Sequence, residues 1–341
     1  MDPIERIKQA NELLAQNQLE SAKPIYQELV GQNPIVDALA YYHLGQIANR
    51  QKDPLLSQDC HLRAFQAYPK LAEILVAPNH PSHPYVFTHP EETNVVHCPL
   101  CGTEGKPYAC YNTVTGIDFI PGFNPVRLWM HCDNCHHLFA NNYPFNLGEL
   151  LAGTAFEFNL NPRTQRFSVL STIISNLKRL APGNKLLEVG VGAGEFSAVA
   201  KEFLFDVTGL DIRPAYAEAV SNMLEIPVHC ADFQHVEGEA EFDVICMGDV
   251  IEHMADPVSA LKKAHSLLVP NGVLWVSTPN FESAFSYVKK ESDPMWLVVE
   301  HLNYFSFVSL RKTLEECGFE VVNYQVSSHY NGSMEVTAVK K

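Results

Sequence analysis

Leu186-Leu187-Glu188-Val189-Gly190-Val191-Gly192-Ala193-Gly194 reads as a buried strand that runs into a glycine loop, and Asp211 ends the strand after it. Three glycines at alternate positions let the main chain turn tightly and lie flat against a ligand that side chains would push away. An acidic residue about 20 positions on is placed to accept both hydroxyls of a ribose. Dinucleotide-binding loops follow the same logic with the spacing G-x-G-x-x-G. Here the order is E-x-G-x-G-x-G.

Outward from that loop, apolar runs alternate with helical patterns. An amphipathic helix is expected over Arg163 to Leu180, with Phe167, Leu170, Ile173, Ile174, Leu177 and Leu180 on one face. Strands are expected at Lys185–Val189, Asp206–Leu210, Pro227–His229, Phe242–Met247 and Gly272–Ser277. Helices between most of them signal a mostly parallel sheet. Glu320–Val326 and Met334–Val339 form a closing hairpin through Tyr330-Asn331-Gly332-Ser333.

This half of the chain, roughly residues 160 to 341, resembles the class I S-adenosylmethionine-dependent methyltransferases, whose motif I has the spacing of the glycine loop. The resemblance implies an α/β fold, a Rossmann-like seven-stranded sheet whose last strand is antiparallel. It implies S-adenosylmethionine as cofactor. Gly190, Gly192 and Gly194 would line its methionine and ribose, Glu188 would hold its amino end, and Asp211, with Ile212 beside it, would bond the ribose hydroxyls. Asp232-Phe233 matches the adenine site, and Gly248-Asp249 lies at the end of the fourth strand beside the sulfur.

Methyl transfer from a sulfonium is an in-line displacement, so the protein must supply alignment and, for a hydroxyl acceptor, a base. His253 in Asp249-Val250-Ile251-Glu252-His253 stands where ubiquinone-type and sugar-type O-methyltransferases carry a similar glutamate-histidine pair. Asp249, Glu252 and His253 are also spaced i, i+3 and i+4, so one helical turn would present them together to a divalent ion. A second pair occurs in Glu300-His301-Leu302-Asn303-Tyr304-Phe305-Ser306, which resembles the E-H-x-x-Y-F-S segment of zinc-containing sugar methyltransferases. That resemblance implies His301 as a base candidate equal to His253, with Glu300 orienting it and Tyr304 nearby. Trp296 either walls the acceptor pocket or belongs to the core.

Four segments are expected: 1–77 helical, 78–95 a proline-rich connector, 96–144 a cysteine module and 145–341 the methyltransferase domain. In the first, Ala22, Tyr26 and Pro34, then Leu44-Gly45, Ala64, Phe65 and Pro69, resemble two loose tetratricopeptide units. Two units bury no continuous core, so this segment should pack on the rest of the chain or on a second copy, or hold a peptide or partner. In the third, Cys98-Pro99-Leu100-Cys101 and Cys132-Asp133-Asn134-Cys135 are C-x-x-C knuckles, whose four thiolates suit a closed structural zinc site. Strand content there is expected at Phe119–Ile120 and Val126–Met130, in a zinc ribbon.

A formal charge of −15 over 341 residues argues against a nucleic-acid substrate. No apolar run reaches the roughly 18 residues of a membrane span. Met1-Asp2-Pro3-Ile4-Glu5 has no basic start of a secretion signal, and nine cysteines then favour thiols or metal ligands in a cytoplasmic protein. The expected activity is O-methylation of a sugar, glycan or related small-molecule hydroxyl. The alternatives are a peptide or protein methyltransferase gripping its substrate with the helical segment, or a non-catalytic cofactor-binding assembly protein.

Overall fold

The computed structural model describes residues 2–116, 119–153, 164–328 and 330–341. The chain opens with α1 (Pro3–Ala15), α2 (Leu19–Leu29), α3 (Pro34–Arg50), α4 (Pro54–Ala67) and a single turn, α5 (Ala72–Leu75). Three of them begin at an Asx-Pro step. Asp2, Asn33 and Asp53 accept N–H bonds from the first turn, while the proline that follows supplies a helical φ and lacks the donor that would go unpaired. Ala22, Tyr26, Ala64 and Phe65 are fully buried. Gly45 is required where α3 meets α4, because a Cβ there would lie 2.7 Å from the His61 ring.

The helical segment packs on the cysteine module. Ser57 donates to the carbonyl of Gly45 and to that of Cys110, and Asn49 accepts the Cys110 N–H at 2.9 Å. The connector pairs back through β1 (Glu92–Asn94). The module itself is an antiparallel meander of β2 (Lys106–Asn112), β3 (Val126–Cys132) and β4 (His137–Ala140), with β5 (Asn142–Pro144) pairing β1. Phe119–Ile120, expected as strand, is irregular. Lys106–Asn112 takes that place instead, its pattern obscured by Pro107 and a bulge between Pro107 and Ala109.

After α6 (Leu147–Ala152) comes α7 (Thr164–Leu180); Arg163, where that helix was expected to start, lies outside the described residues. The remaining elements alternate: β6 (Lys185–Val189), α8 (Glu195–Glu202), β7 (Asp206–Asp211), α9 (Pro214–Leu224), β8 (Val228–Cys230), β9 (Phe242–Gly248), α10 (Pro257–Leu267) and β10 (Leu268–Pro279). Then follow α11 (Ala284–Lys289), β11 (Asn303–Tyr304), α12 (Phe307–Glu316), β12 (Phe319–Val326) and β13 (Ser333–Lys340). All seven expected strands join one sheet in the order β12-β13-β10-β9-β6-β7-β8. β13 runs antiparallel to both β10 and β12, and the other pairs are parallel.

Alternate residues of each strand serve opposite faces. Leu186, Val207, Val244 and Val273 face Leu170, Ile174 and Leu177 of α7. Leu187, Ile245 and Leu274 face Leu261 of α10 and Leu310 of α12, in an apolar cluster continuous with Leu128 and Phe139 of the module and Phe65 of the helices. One strand crosses between the sheets: β11, from the C-terminal half, pairs β4 and completes the module's sheet as β11-β4-β3-β2. Among the described residues no helix is long and apolar enough to cross a membrane.

Candidate active site and metal centre

A cavity of about 650 Å³ opens at the carboxyl ends of β6, β7 and β9, where open α/β sheets bind ligands. Gly190, Asp211, Ile212, Asp232, Phe233, Asp249, His253 and Glu300 lie on its wall. Glu188, Gly192, Gly194 and Gly248 are not among the residues that line it. Gly190 has φ +76, and a Cβ on it would meet Val250 at 2.6 Å. Gly192, at φ +49, faces open space and donates its N–H to Asp211 at 3.3 Å. The buried carboxyl of Glu188 accepts from Ser197, and burial raises it to about 8.

Asp211 is held more firmly than its sequence context suggests. Arg213 donates to it from the main chain, Nε and Nη2, at 2.8 to 2.9 Å, and stacks over Tyr216. Arg213 also lines the cavity, and sequence reasoning missed it. Asp232 caps the short turn Phe233–His235 through the Gln234 N–H, while the buried Phe233 ring borders the cavity. The cavity, the bare main chain at Gly190 and the Asp211 carboxylate fit an adenosyl ligand.

The expected divalent set of Asp249, Glu252 and His253 does not share a helical face. Asp249 takes a left-handed φ of +55, and a 3-10 turn begins only at Ile251, so the i, i+3, i+4 spacing is broken. Asp249 instead accepts from Ser277, its carboxyl raised to about 6 by burial. The cluster that does form is Glu252, His253 and His301, with one ligand atom of each within 4.8 Å of the others. Glu252 is fully buried, accepts from Thr278 at 3.0 Å and is pushed well above its ordinary range by burial.

The two histidines differ in placement. His253 borders the cavity, and its Nδ1 lies 3.2 Å from the Glu300 carbonyl. A carbonyl only accepts, so Nδ1 carries the proton and Nε2 of the neutral ring keeps the lone pair. Burial lowers His253 to about 4. His301 lies behind it, ring centroids 4.9 Å apart, and burial pushes it well below its ordinary range. Glu300 therefore orients His253 through its main chain. Tyr304 and Trp296 belong to a buried aromatic cluster with Trp129: Tyr304 donates to Asp293 at 2.9 Å, and the Trp296 indole donates to the Lys290 carbonyl.

The knuckles bring Cys98, Cys101, Cys132 and Cys135 together, all four sulfurs within 4.8 Å. Cys98 and Cys135 are 3.6 Å apart, Cys101 and Cys132 3.4 Å. Sulfurs at ~2.3 Å from a tetrahedral zinc would stand about 3.8 Å apart, so the donor set fits that ion. The two turns match. Cys98 accepts main-chain bonds from Leu100 and Cys101, Cys132 from Asn134 and Cys135. Each knuckle closes on a left-handed residue, Gly102 at φ +71 or His136 at φ +53, whose N–H returns to the first cysteine's carbonyl at 2.9 Å.

A seven-stranded sheet with an antiparallel penultimate position, a glycine loop after β6 and an acidic residue ending β7 define a class I methyltransferase domain. Residues 163–324 match the family described as "Methyltransferase domain". The chain thus carries a class I S-adenosylmethionine-dependent methyltransferase domain. It is 35% identical over 105 residues to the ubiquinone biosynthesis O-methyltransferase of Caulobacter sp. (strain K31), covering 29% of this chain and 42% of that protein. It is 34% identical over 132 residues to the protein of the same name from Haemophilus ducreyi, covering 36% and 53%. The chain thus spans about half the length of these curated relatives, 42% and 53%. Among solved structures it is similar to magnesium protoporphyrin IX methyltransferase from Synechocystis PCC 6803, with 17% identity, 58% of this chain and 94% of that chain covered, and a TM-score of 0.45.

Proposed function

We propose that the chain transfers the methyl group of S-adenosylmethionine to a hydroxyl of a small, uncharged acceptor, with His253 as the general base. The observation that carries this is the state of that ring. It borders the cavity, its Nδ1 proton is engaged by the Glu300 carbonyl, and Nε2 is left to accept. Burial keeps it uncharged above about pH 4, so the Nε2 lone pair is free throughout the neutral range. When bound, the cofactor supplies a methyl group on a sulfonium leaving group. The protein's work is to align the acceptor oxygen and take its proton. Glu252, its carboxyl pushed up by burial, serves as a support, and His301 backs His253.

Ile120, Leu147, Leu151 and Met254 give the cavity an apolar side. Among the described residues, the one guanidinium on its wall, Arg213, is engaged by Asp211. Both features support a neutral hydroxyl on an apolar body, such as a phenol, ahead of a phosphorylated sugar. The relatives are named for O-methylation, which supports oxygen as the acceptor atom. The Cys98, Cys101, Cys132 and Cys135 set is read as a structural zinc site on the fit of its four sulfurs. A second reading, a divalent ion at Glu252, His253 and His301, is favoured by their clustering and by a Glu252 oxygen that has no hydrogen-bond partner. Manganese titration of the Glu252→Gln variant against the native protein decides it.

Transfer of label from methyl-labelled S-adenosylmethionine to phenols, sugars and peptides tests the main reading. His253→Ala should lower turnover about 10²- to 10⁴-fold with cofactor affinity nearly unchanged. Undiminished turnover in that variant would remove His253 from the chemistry.

A further inference from the structure

A single buried amide joins the cysteine module to the turn that carries His253. Asn303 lies in β11 and is 1% exposed. Its Nδ2 donates to the Met254 carbonyl at 2.7 Å and reaches the Glu252 carbonyl at 3.5 Å. Two carbonyls at one end of an amide identify that end as the nitrogen. The other end is then an acceptor, and it faces His137 Nε2 at 3.1 Å, so His137 donates.

His137 is fully buried and stands two residues after Cys135. Its place follows from the knuckle: His136 adopts φ +53, sends its N–H back to Cys132, and accepts from Ser306 through its carbonyl. On the other side the Leu302 N–H donates to the Glu252 carbonyl at 2.8 Å. The carbonyls immediately before and after His253 are thus both gripped from β11 and its neighbour. Those grips are registered on the module by the pairing of Asn303 with Phe139 and of Tyr304 with Leu138.

We infer that His137 and Asn303 are positioning residues for His253, a two-residue relay through which the cysteine module sets where the base stands. This rests on the role proposed for His253 and deepens it: the module is then part of the reactive device as well as a folded appendage. Displacement of a base by about 1 Å is enough to cost on the order of 100-fold in rate. A relay made of directional, water-free hydrogen bonds holds a turn to that tolerance where apolar packing alone leaves it free to slide.

Asn303→Asp tests the relay at constant volume. It keeps an acceptor toward His137 but places an oxygen against the Met254 carbonyl. The expected result is a kcat about 100-fold lower with KM for cofactor and acceptor each within about threefold. His137→Phe, which removes the donor, should behave likewise. His137→Gln, whose amide can donate the same bond, should recover most of the lost rate. Wild-type turnover in Asn303→Asp, cofactor affinity lost in step with kcat, or no recovery in His137→Gln would each overturn the relay. Hydrogen exchange provides an arm that needs no activity: exchange across 251–255 should quicken in Asn303→Asp while β12 and β13 stay unchanged, and unaltered exchange at the turn would equally overturn it. Should the native protein methylate nothing, the proposed function falls and the exchange arm still decides the relay.

Discussion

The two sides of the cavity are built on opposite principles. The side proposed for the cofactor is mostly main chain: a strand end, a left-handed glycine loop and one carboxylate within a stretch running from Glu188 to Arg213, with Asp232, Phe233 and Asp249 added from later strand ends. The side proposed for the acceptor is assembled from distant pieces. His253 is oriented by Glu300, and the turn around it is gripped by Asn303, which is held in turn by His137. The fully buried Arg127 of β3 donates to the Val299 carbonyl just before the Glu300-His301 pair. A contiguous motif fixes a local backbone geometry and tolerates variation elsewhere. A side assembled from distant pieces depends on every one of them, the cysteine module included.

That contrast is broken most directly at the knuckles. If the four thiolates hold the zinc proposed for them, Cys132→Ser or chelation should release it and loosen β3, β4 and with them β11. Structural zinc sites hold ~10 kcal/mol or more of folding energy, so the loss should be large on the acceptor side. Turnover should fall more than about 100-fold while S-adenosylmethionine affinity, measured by calorimetry, changes far less. Metal analysis of the native protein gives the stoichiometry, expected at one ion per chain. Parallel loss of cofactor affinity and turnover would show that the two sides do not stand apart.

The converse change is Gly192→Ala. A Cβ there meets nothing within 4 Å, so the protein tolerates it apart from the strain of φ +49. That strain is about 1 kcal/mol for an L-residue. If the cofactor lies along this loop, the added methyl group meets it, and cofactor affinity should fall more than about tenfold. The knuckles should keep their metal. Unchanged affinity would mean that the loop only turns the chain and supports Asp211.

What was legible in the sequence follows the same division. All seven strands of the large sheet announced themselves as short apolar runs, and the glycine loop with Asp211 needed only local geometry. The knuckles were legible for the same reason, because each is a four-residue turn. Where the reading failed, a distant contact or a single backbone angle had decided the outcome. Asp249 left the expected helical face because one residue went left-handed. Trp296, for which pocket wall and core both stood open, went to the core, and with Tyr304 it joins the aromatic cluster around Trp129, a partner more than 160 residues away in the chain. His137 and Asn303 looked like ordinary polar residues, since nothing near either in the chain marks a bond across 166 positions. Arg127 carried one faint signal: an arginine inside an otherwise apolar strand is costly to bury and needs a reason.

The smallest expected effect is in the pH dependence of stability, where the two sides should leave separate marks. Burial lowers His61 to about 3 and His253 to about 4, and pushes His301 well below its ordinary range. Their unfolded values are near 6.5, so the unfolded chain binds protons that the folded one refuses as the pH falls from about 6.5 to 4. Their contribution is complete above about 6.5 and is lost below it. Glu188, raised to about 8, and Glu252, raised in the same direction, work with the opposite sign. Glu188 is protonated when folded and ionised when unfolded between about 4.5 and 8, so stability drains away across that window, and Glu252 adds to the loss in the same direction. The thermal midpoint should therefore peak near pH 6 and fall on both sides by about a few degrees. Glu188→Gln should flatten the alkaline limb and, because the unfolded Glu188 ionises from about 4.5 upward while the folded one stays protonated to about 8, steepen the acid limb between about 4.5 and 6. An alkaline limb unmoved by Glu188→Gln, followed by calorimetric melting from pH 5 to 9, would place the whole titration outside the cofactor side.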